Sequence, residues 1–493
     1  MNPESSVGIK GINFRLTFKL LGMLTLILSA FMGLSMIWVF VDINNDHIQP
    51  LLLSLLITFI CGLSLFMYNR KVDHRQISIK EGYLIVSLTW VSMSALGALP
   101  FYFSGFFSNF TDAFFESISG FTTTGASVLS DIEALPRSLL FWRSTTHWLG
   151  GMGIIVLSLA ILPILGIGGM QLFVAEAPGA TPSKLHPHMR ETAKRLWGIY
   201  LLFTLVQCLL LMLGGMDFFH SINHAFSTLA TGGFSTQNDS IAGYSPYIQY
   251  VIIFFMIMAG ISFGLHYFLL KGEFKKVLGN EELRFYLYII GVFTLVLTAS
   301  IFLLHRAGLE EAFRQSLFQT VAIATTTGFV TADYLQWHGS LWFLVFLLMF
   351  TGGCIGSTGG GIKMIRLLVL FKNTRQELKR LIHPMAVIPV KVNSKTIPKD
   401  IITNFLAFFL IYILIFMTGA AIMSAYGLDF TSAIGASIAT LGNIGPALGS
   451  VGPVENYAHI PIGAKWILSF FMLLGRLELF TVLLLLSPSF WKK

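Results

Sequence analysis

Charged side chains are scarce in this chain. Asp, Glu, Lys and Arg make up 11% of its 493 residues, whereas 55% are hydrophobic. A soluble domain carries about 25% charged residues. No soluble fold hides this much apolar surface, and a mean hydropathy of +0.74 makes the bilayer the solvent. Cysteine is also scarce. Cys61, Cys208 and Cys354 lie far apart in apolar stretches, with neither a disulfide framework nor a metal-ligand spacing, and read as core thiols. Enzyme signatures are missing too. There is no HExxH, no GxSxG at a strand–helix turn and no Walker loop, and intramembrane carboxylates are almost absent. The chain therefore reads as no enzyme, and nucleotide control would have to come from another chain.

Apolar runs are abundant. About 20 such residues cross a bilayer as a helix. Ten candidate spans fall near 18–41, 50–69, 82–104, 138–167, 196–214, 246–270, 285–305, 340–371, 401–425 and 463–487. The first is too long for the apolar core of a cleavable signal. Four shorter apolar stretches, 110–122, 217–230, 312–325 and 429–439, each lie between two full spans. Such segments suit re-entrant helices.

The net charge of +8 raises the question of nucleic acid, but its distribution excludes that reading. With ten spans, 26 of the 32 Lys and Arg residues fall on one side, in the N-terminal segment, the loops near 70–80, 168–195, 271–284 and 363–399, and the C-terminal tail. The positive-inside rule then puts both termini in the cytoplasm.

The last eight spans divide into four units of span, short helix, loop and span. Each short helix begins near an acid, Asp112, Asp217, Glu310 or Glu311, and Asp429, which suits the helix dipole. Each is followed by a threonine-glycine turn: SGFTTTGAS, FSTLATGGFST, IATTTGFVT and SIATLGNIGP. Aligned on Gly125, Gly233, Gly328 and Gly442, the turns carry Thr123, Thr231, Thr326 and Thr440 two positions earlier. Ser119, Ser227, Ala322 and Ala436 stand six positions earlier. Gly232 leaves room for a one-residue slip in the second unit. The expected fold is an all-α polytopic membrane protein with ten transmembrane helices. Segment 1–80 contributes two spans, and pore repeats 81–167, 168–272, 273–372 and 373–493 surround a pseudo-fourfold pore.

Such turns suit a cation. Rings of backbone carbonyls replace a hydration shell, and glycine tolerates the dihedrals this needs. Four helix C-termini aimed at one axis add negative potential without a carboxylate. The candidate ligand set is Thr123, Thr124, Gly125, Thr231, Gly232, Gly233, Thr326, Thr327, Gly328, Thr440, Leu441, Gly442 and Asn443. The triplets are similar to the first half of the potassium-channel filter TVGYG. Ala126, Phe234, Phe329 and Asn443 replace its tyrosine, so fewer ion sites and weaker discrimination against sodium are expected.

Together with FTGGCIGSTGGGIKMIRLLVLFK and GRLELFTVLLL, these turns make the whole chain resemble the Trk/Ktr/HKT superfamily, most closely its TrkH type. The two additional N-terminal spans fit that type. The resemblance implies potassium uptake across the bacterial inner membrane. It also implies a homodimer with one pore per subunit and a cytoplasmic, nucleotide-binding TrkA-type regulator. In plant relatives a serine at the first filter glycine accompanies sodium preference, and here Gly125 stands there.

The eighth span is interrupted by Gly352, Gly353, Gly356, Gly359, Gly360 and Gly361. Each glycine costs a helix about 1 kcal/mol relative to alanine. The resemblance implies a loop that plugs the pore below the filter; a kink or close helix packing is the plainer alternative. Arg476 stands mid-way along the last span, where a charge needs a partner or the pore. The resemblance puts it beneath the filter as a barrier to cations, and snorkelling to a headgroup is the alternative. Glu478 does not share its helix face. Arg143 and His147 share a face near the outer end of their span, suited to packing or to lining the mouth. Glu116 either adds negative potential at the mouth or holds backbone. The basic stretch 372–399 suits anionic lipid, a cytoplasmic partner or plain solvation. The competing transport mechanism is a proton- or sodium-coupled symporter with alternating access. It would need an ionisable coupling residue, for which only Glu116 and Arg476 come forward.

Overall fold

Gly22 and Gly62 let the first two long helices, Phe14–Val41 and Ile48–Tyr68, cross with almost no side chain between them. A Cβ on Gly22 would strike the Gly62 carbonyl and the Phe66 amide. Small residues at such crossings are how helices associate in lipid, where burying apolar surface adds no drive. In the computed structural model, residues 12–41, 48–72, 79–153, 189–305, 308–386 and 388–492 are described. Among them the only strands form one small antiparallel hairpin, Lys391–Val392 with Lys395–Thr396, turning through Asn393 and Ser394.

Six described helices are long and apolar enough to span a bilayer, or eight if each of two bent pairs counts once. Their outer faces carry exposed Ile60, Leu295, Leu303 and Leu410. Backbone polar groups are satisfied within each helix, which is what lets such faces meet hydrocarbon.

Two expected straight spans are bent, and the glycine-interrupted third is broken as its sequence implied. Residues 246–270 form Pro246–Gly260 and Phe263–Leu270, bent by 104°. Residues 463–487 form Ile462–Arg476 and Phe480–Leu486, bent by 119° where Glu478 and Leu479 take positive φ. Residues 340–371 form Gly339–Leu348, an irregular segment and Met364–Ile382. The span expected at 138–167 runs as helix from Arg137 to Trp148 and continues as a π-turn, Leu149–Gly153. Its remainder, with the following loop to 188, lies outside the described residues.

The four short helices are Phe110–Phe121, Phe218–Leu229, Leu309–Ala324 and Phe430–Leu441. Their starts follow from capping chemistry. Asn109 accepts from the Asp112 amide, Asp217 from Phe219, and Asp429 from both Thr431 and Ser432. The third starts at Gly308 without a side-chain cap and carries Glu310 and Glu311 in its first turn. The basic stretch is partly folded back. Val390 and Val392 pack with Leu368, Val369, Ile402 and Phe405, and Lys372 pairs with Glu281.

Candidate functional site

Each short helix ends in the same backbone turn. Its last turn closes with an amide donating to the carbonyl five residues back: Thr124 to Ser119, Gly232 to Ser227, Thr327 to Ala322 and Ile444 to Ala439, all at 2.8 Å. The residue before each of these amides is left-handed: Thr123, Thr231, Thr326 and Asn443 have φ of 51°, 55°, 59° and 54°. Two positions further, Gly125, Gly233, Gly328 and Gly445 have φ of 82°, 81°, 76° and 92°. Only glycine adopts that last conformation without strain.

The first three segments match the sequence alignment, and Gly233 rather than Gly232 takes the glycine position. The fourth does not. Gly445, not Gly442, is the counterpart of Gly125, and Asn443, not Thr440, is the counterpart of Thr123. Ala439 replaces Ala436 in the same shift of three residues. Gly442 has φ −82° and caps the helix. Thr440 and Leu441 are still helical, and the Thr440 hydroxyl donates to the Ala436 carbonyl at 2.7 Å. The T-x-G spelling at Thr440–Gly442 lies one helical turn too early. The signal that would have found the register is Ala439 to Gly445, a small residue six positions before a glycine.

The four turns close a ring. A Cβ on Gly125 would overlap the Gly232 carbonyl oxygen, and one on Gly233 the Thr327 oxygen. One on Gly328 would overlap the Ile444 oxygen, and one on Gly445 would crowd the Thr124 oxygen at 2.6 Å. Each ring glycine thus abuts the carbonyl just before the next ring glycine. Any side chain there would break the ring. A cavity of about 190 Å³ opens on it, lined by Gly125, Gly233, Gly328 and Gly445 together with Ser127, Ser235 and Tyr457. It has room for several waters. Thr123 Oγ1 and Asn443 Oδ1 are buried without a hydrogen-bond partner among the described residues.

The glycine-rich segment lies against the residues that precede the ring. The Gly360 amide donates to Thr326 Oγ1 at 2.7 Å, and a Cβ on Gly360 would strike Asn443 and the Gly442 carbonyl. A Cβ on Gly359 would crowd the Thr325 carbonyl at 2.9 Å. The segment is a tied loop rather than a kink. Thr351 bridges to Ile362, the Gly352 amide donates to the Ile362 carbonyl at 3.0 Å, and the Met364 amide to the Gly353 carbonyl at 3.1 Å. Gly356 and Gly361 take positive φ, and the Gly356 carbonyl accepts from the Phe263 amide at 3.0 Å.

Arg476 is buried, so the snorkelling alternative does not hold. Its Nη1 donates to the Thr358 carbonyl at 2.7 Å, and its Nη2 donates to the carbonyls of Gly150 and of Gly151, the latter at 2.7 Å. Those carbonyls come from the π-turn Leu149–Gly153. Glu478 pairs instead with Arg366. Glu116 and Arg143 form a buried ion pair at 2.6 Å, and the His147 ring stacks on Phe234 with centroids 3.9 Å apart.

Sequence reasoning missed several groups here. Glu282 accepts from the Ile355 amide at 2.7 Å and the Ile365 amide at 3.1 Å, gripping both arms of the loop. Lys363 donates to the Gly359 carbonyl. Thr358 Oγ1 donates to the Leu229 carbonyl at 2.9 Å. Glu282 lies three residues before its apolar run, so composition marked it as a loop residue.

A helical, multi-pass membrane protein built around a closed ring of backbone carbonyls is the class these features define. The chain belongs to the TrkH family: the family's model, described as a cation transport protein, matches residues 47–493. It is 42% identical to the Trk system potassium uptake protein TrkH of Escherichia coli K12 over 98% of this chain and all of that protein. It is 39% identical to the protein of the same name from Halomonas elongata, again over 98% of this chain and all of the relative. The crystal structure of the potassium transporter TrkH from Vibrio parahaemolyticus superposes with a TM-score of 0.88 at 37% identity, over 98% of this chain and all of that one. The family is one of transporters, not enzymes.

Proposed function

We propose that this chain is the ion-conducting subunit of a bacterial potassium uptake system, and that potassium passes through the ring of Gly125, Gly233, Gly328 and Gly445. The observation that carries this reading is ring closure, with each ring glycine against the carbonyl of the next segment. Partly dehydrated potassium needs several oxygens at once, and such a ring supplies them. Asn443 Oδ1 and Thr123 Oγ1 are further acceptors for a cation on the inner side. Potassium is cargo here, not a resident cofactor.

The loop Gly352–Gly361 and Arg476 act as the gate. The loop occupies the path below the ring, and the guanidinium adds a positive barrier while holding the Thr358 carbonyl. Around this core the chain makes ten spans in the inner membrane, the last eight as four repeats, with both termini cytoplasmic. It works as a homodimer, controlled by a TrkA-type cytoplasmic subunit.

The test is rubidium or potassium uptake by the purified chain in proteoliposomes, beside growth rescue of an uptake-deficient strain at low potassium with and without the regulator. Flux that ends when Gly445 is changed to Ala, in protein that still folds, supports the ring. Unchanged flux removes it.

A further inference from the structure

The four ring segments are backed by four different side chains. Nine positions before each ring glycine, on the short helix behind it, stand Glu116, His224, Gln319 and Ala436. Three of them hold the chain just beyond their own glycine. Glu116 accepts from Ser127 Oγ at 3.0 Å and the Val128 amide at 3.0 Å. His224 Nε2 bonds Ser235 Oγ at 3.0 Å. Gln319, with its amide oriented to satisfy both ends, accepts from the Thr331 amide at 2.9 Å and the Ala332 amide at 3.2 Å. Ala436 has nothing to offer, and the fourth segment is held from outside. Tyr457 donates to the Gly445 carbonyl at 2.7 Å and Tyr334 to the Ala447 carbonyl at 2.6 Å.

Of the three helix supports, only Glu116 is joined through a charged side chain to the neighbouring segment. Arg143 Nε donates to Glu116 at 2.6 Å, its Nη1 donates to the Ser235 carbonyl at 2.9 Å, and its guanidinium lies 3.5 Å from the centre of the Phe234 ring. Phe234 and Ser235 directly follow Gly233. An unbroken chain therefore runs from Ser127 through Glu116 and Arg143 to Ser235, spanning the first and second segments. Both charges are buried, at 0% and 2% exposure. At that burial, removing one partner leaves an uncompensated charge, so the geometry is held tightly.

We propose that Glu116 and Arg143 are positioning residues that set the spacing between the first and second ring segments, and thereby the preference for potassium over sodium. The inference rests on the ring being the conduction path. A smaller cation is admitted when the carbonyls can close in on it, so a brace that resists closing discriminates against sodium. Neighbouring segments elsewhere are tied by neutral hydrogen bonds, such as Asn443 Nδ2 to Thr124 Oγ1 at 3.0 Å, so a buried charge pair braces the ring on one side and its selectivity is set asymmetrically.

The test measures potassium-to-sodium permeability ratios of the full chain in proteoliposomes for wild type, Glu116→Gln, Arg143→Gln, the double variant and Arg143→Lys. Arg143→Lys keeps the charge for Glu116 but loses the arm to Ser235 and the flat contact with Phe234. The ratio is expected to fall by about tenfold in each single variant, equivalent to about 1.4 kcal/mol of differential ion stabilisation. The double variant should fall little further, because the pair acts as one unit. Gel filtration and thermal melting identify variants that fold. If the charge-removing variants do not fold, Arg143→Lys and the milder Ser127→Ala decide the matter. Wild-type ratios in every variant that folds would overturn the brace. Absence of monovalent cation flux in wild type would instead sink the conduction path itself, so the two failures are distinguishable.

Discussion

Arg476 reaches across 118 residues of sequence to hold the carbonyl of Thr358, at the centre of the glycine-rich loop. The same guanidinium holds Gly150 and Gly151. One side chain from the helix Ile462–Arg476 thus fastens the glycine-rich loop to the π-turn Leu149–Gly153. Its charge and its donors act together. In the gate proposed above, the charge opposes a cation arriving from the ring, and the donors keep the loop in its blocking position.

Replacing Arg476 with Ala should therefore raise basal flux. Removing a like charge lowers the barrier for a cation, and releasing Thr358 frees the loop. A rise of about tenfold or more corresponds to only about 1.4 kcal/mol off the barrier. Arg476→Lys separates the two effects, because it keeps the charge but not the planar fork. An intermediate flux is expected for Lys. Rubidium efflux from proteoliposomes reads both, and equal flux in wild type and Arg476→Ala would remove Arg476 from the gate.

Much of this was legible in the sequence because each repeat spells its own punctuation. Asp217 and Asp429 mark helix starts, and three T-x-G turns mark the ring. The fourth was misread for a physical reason. A left-handed position accepts Asn more readily than β-branched Thr, since its short polar side chain bonds locally. Asn443 therefore replaces the threonine, while an unrelated Thr440 inside the helix imitates the motif. The bends at Ser262 and Glu478 were hidden because both halves of each span remain apolar. Glu282 was hidden because its partners are backbone amides, which carry no sequence signature.

The register makes its own prediction. Gly445→Ala places a methyl at φ 92° and against the Thr124 and Gly125 carbonyls. It should reduce potassium flux to background in folded protein. Gly442→Ala sits at an ordinary helical φ, crowding only the Ile438 carbonyl at 2.9 Å and the flexible Ile444 side chain at 3.1 Å. It should keep a measurable share of the flux. Growth at low potassium ranks the two variants, and the reverse order would restore the Thr440–Gly442 register.

Glu282→Ala should loosen the loop at its two arms, where Arg476 holds its centre. Two amides, those of Ile355 and Ile365, lose their acceptor. Each unsatisfied buried amide costs about 1–3 kcal/mol, and the loop can escape that cost by moving. Raised basal flux and faster proteolysis of the 352–365 segment are expected. Glu282→Gln keeps an acceptor oxygen and should stay nearer to wild type. Proteolysis as slow as in wild type for Glu282→Ala would show that the loop does not depend on this grip.

The loops beyond the ring, on the proposed outer side, offer a pH prediction. Asn238 Nδ2 donates to Asp131 at 2.9 Å, its Oδ1 accepts from the Ile132 amide at 2.7 Å, and its own amide donates to Glu133 at 3.1 Å. The loops following the first two ring segments are tied together this way. The Asn238 amide holds the Asp131 carboxyl below the usual carboxylate range, and neighbouring backbone amides add to this. A lowered carboxylate contributes its tie above its ordinary titration range and loses it only as pH falls through the lowered value. Flux through wild type should therefore not change on account of this tie between an outer pH of about 8 and about 5. Asn238→Asp reverses the logic. It sets a third carboxylate beside Asp131 and Glu133, and like charges push each other's titration upward. At neutral pH the loops should repel and flux should fall. Acidification toward pH 5 should neutralise the cluster, restore a hydrogen bond and recover flux. An Asn238→Asp variant whose flux tracks wild type at both pH values would show that the tie between these loops does not bear on conduction.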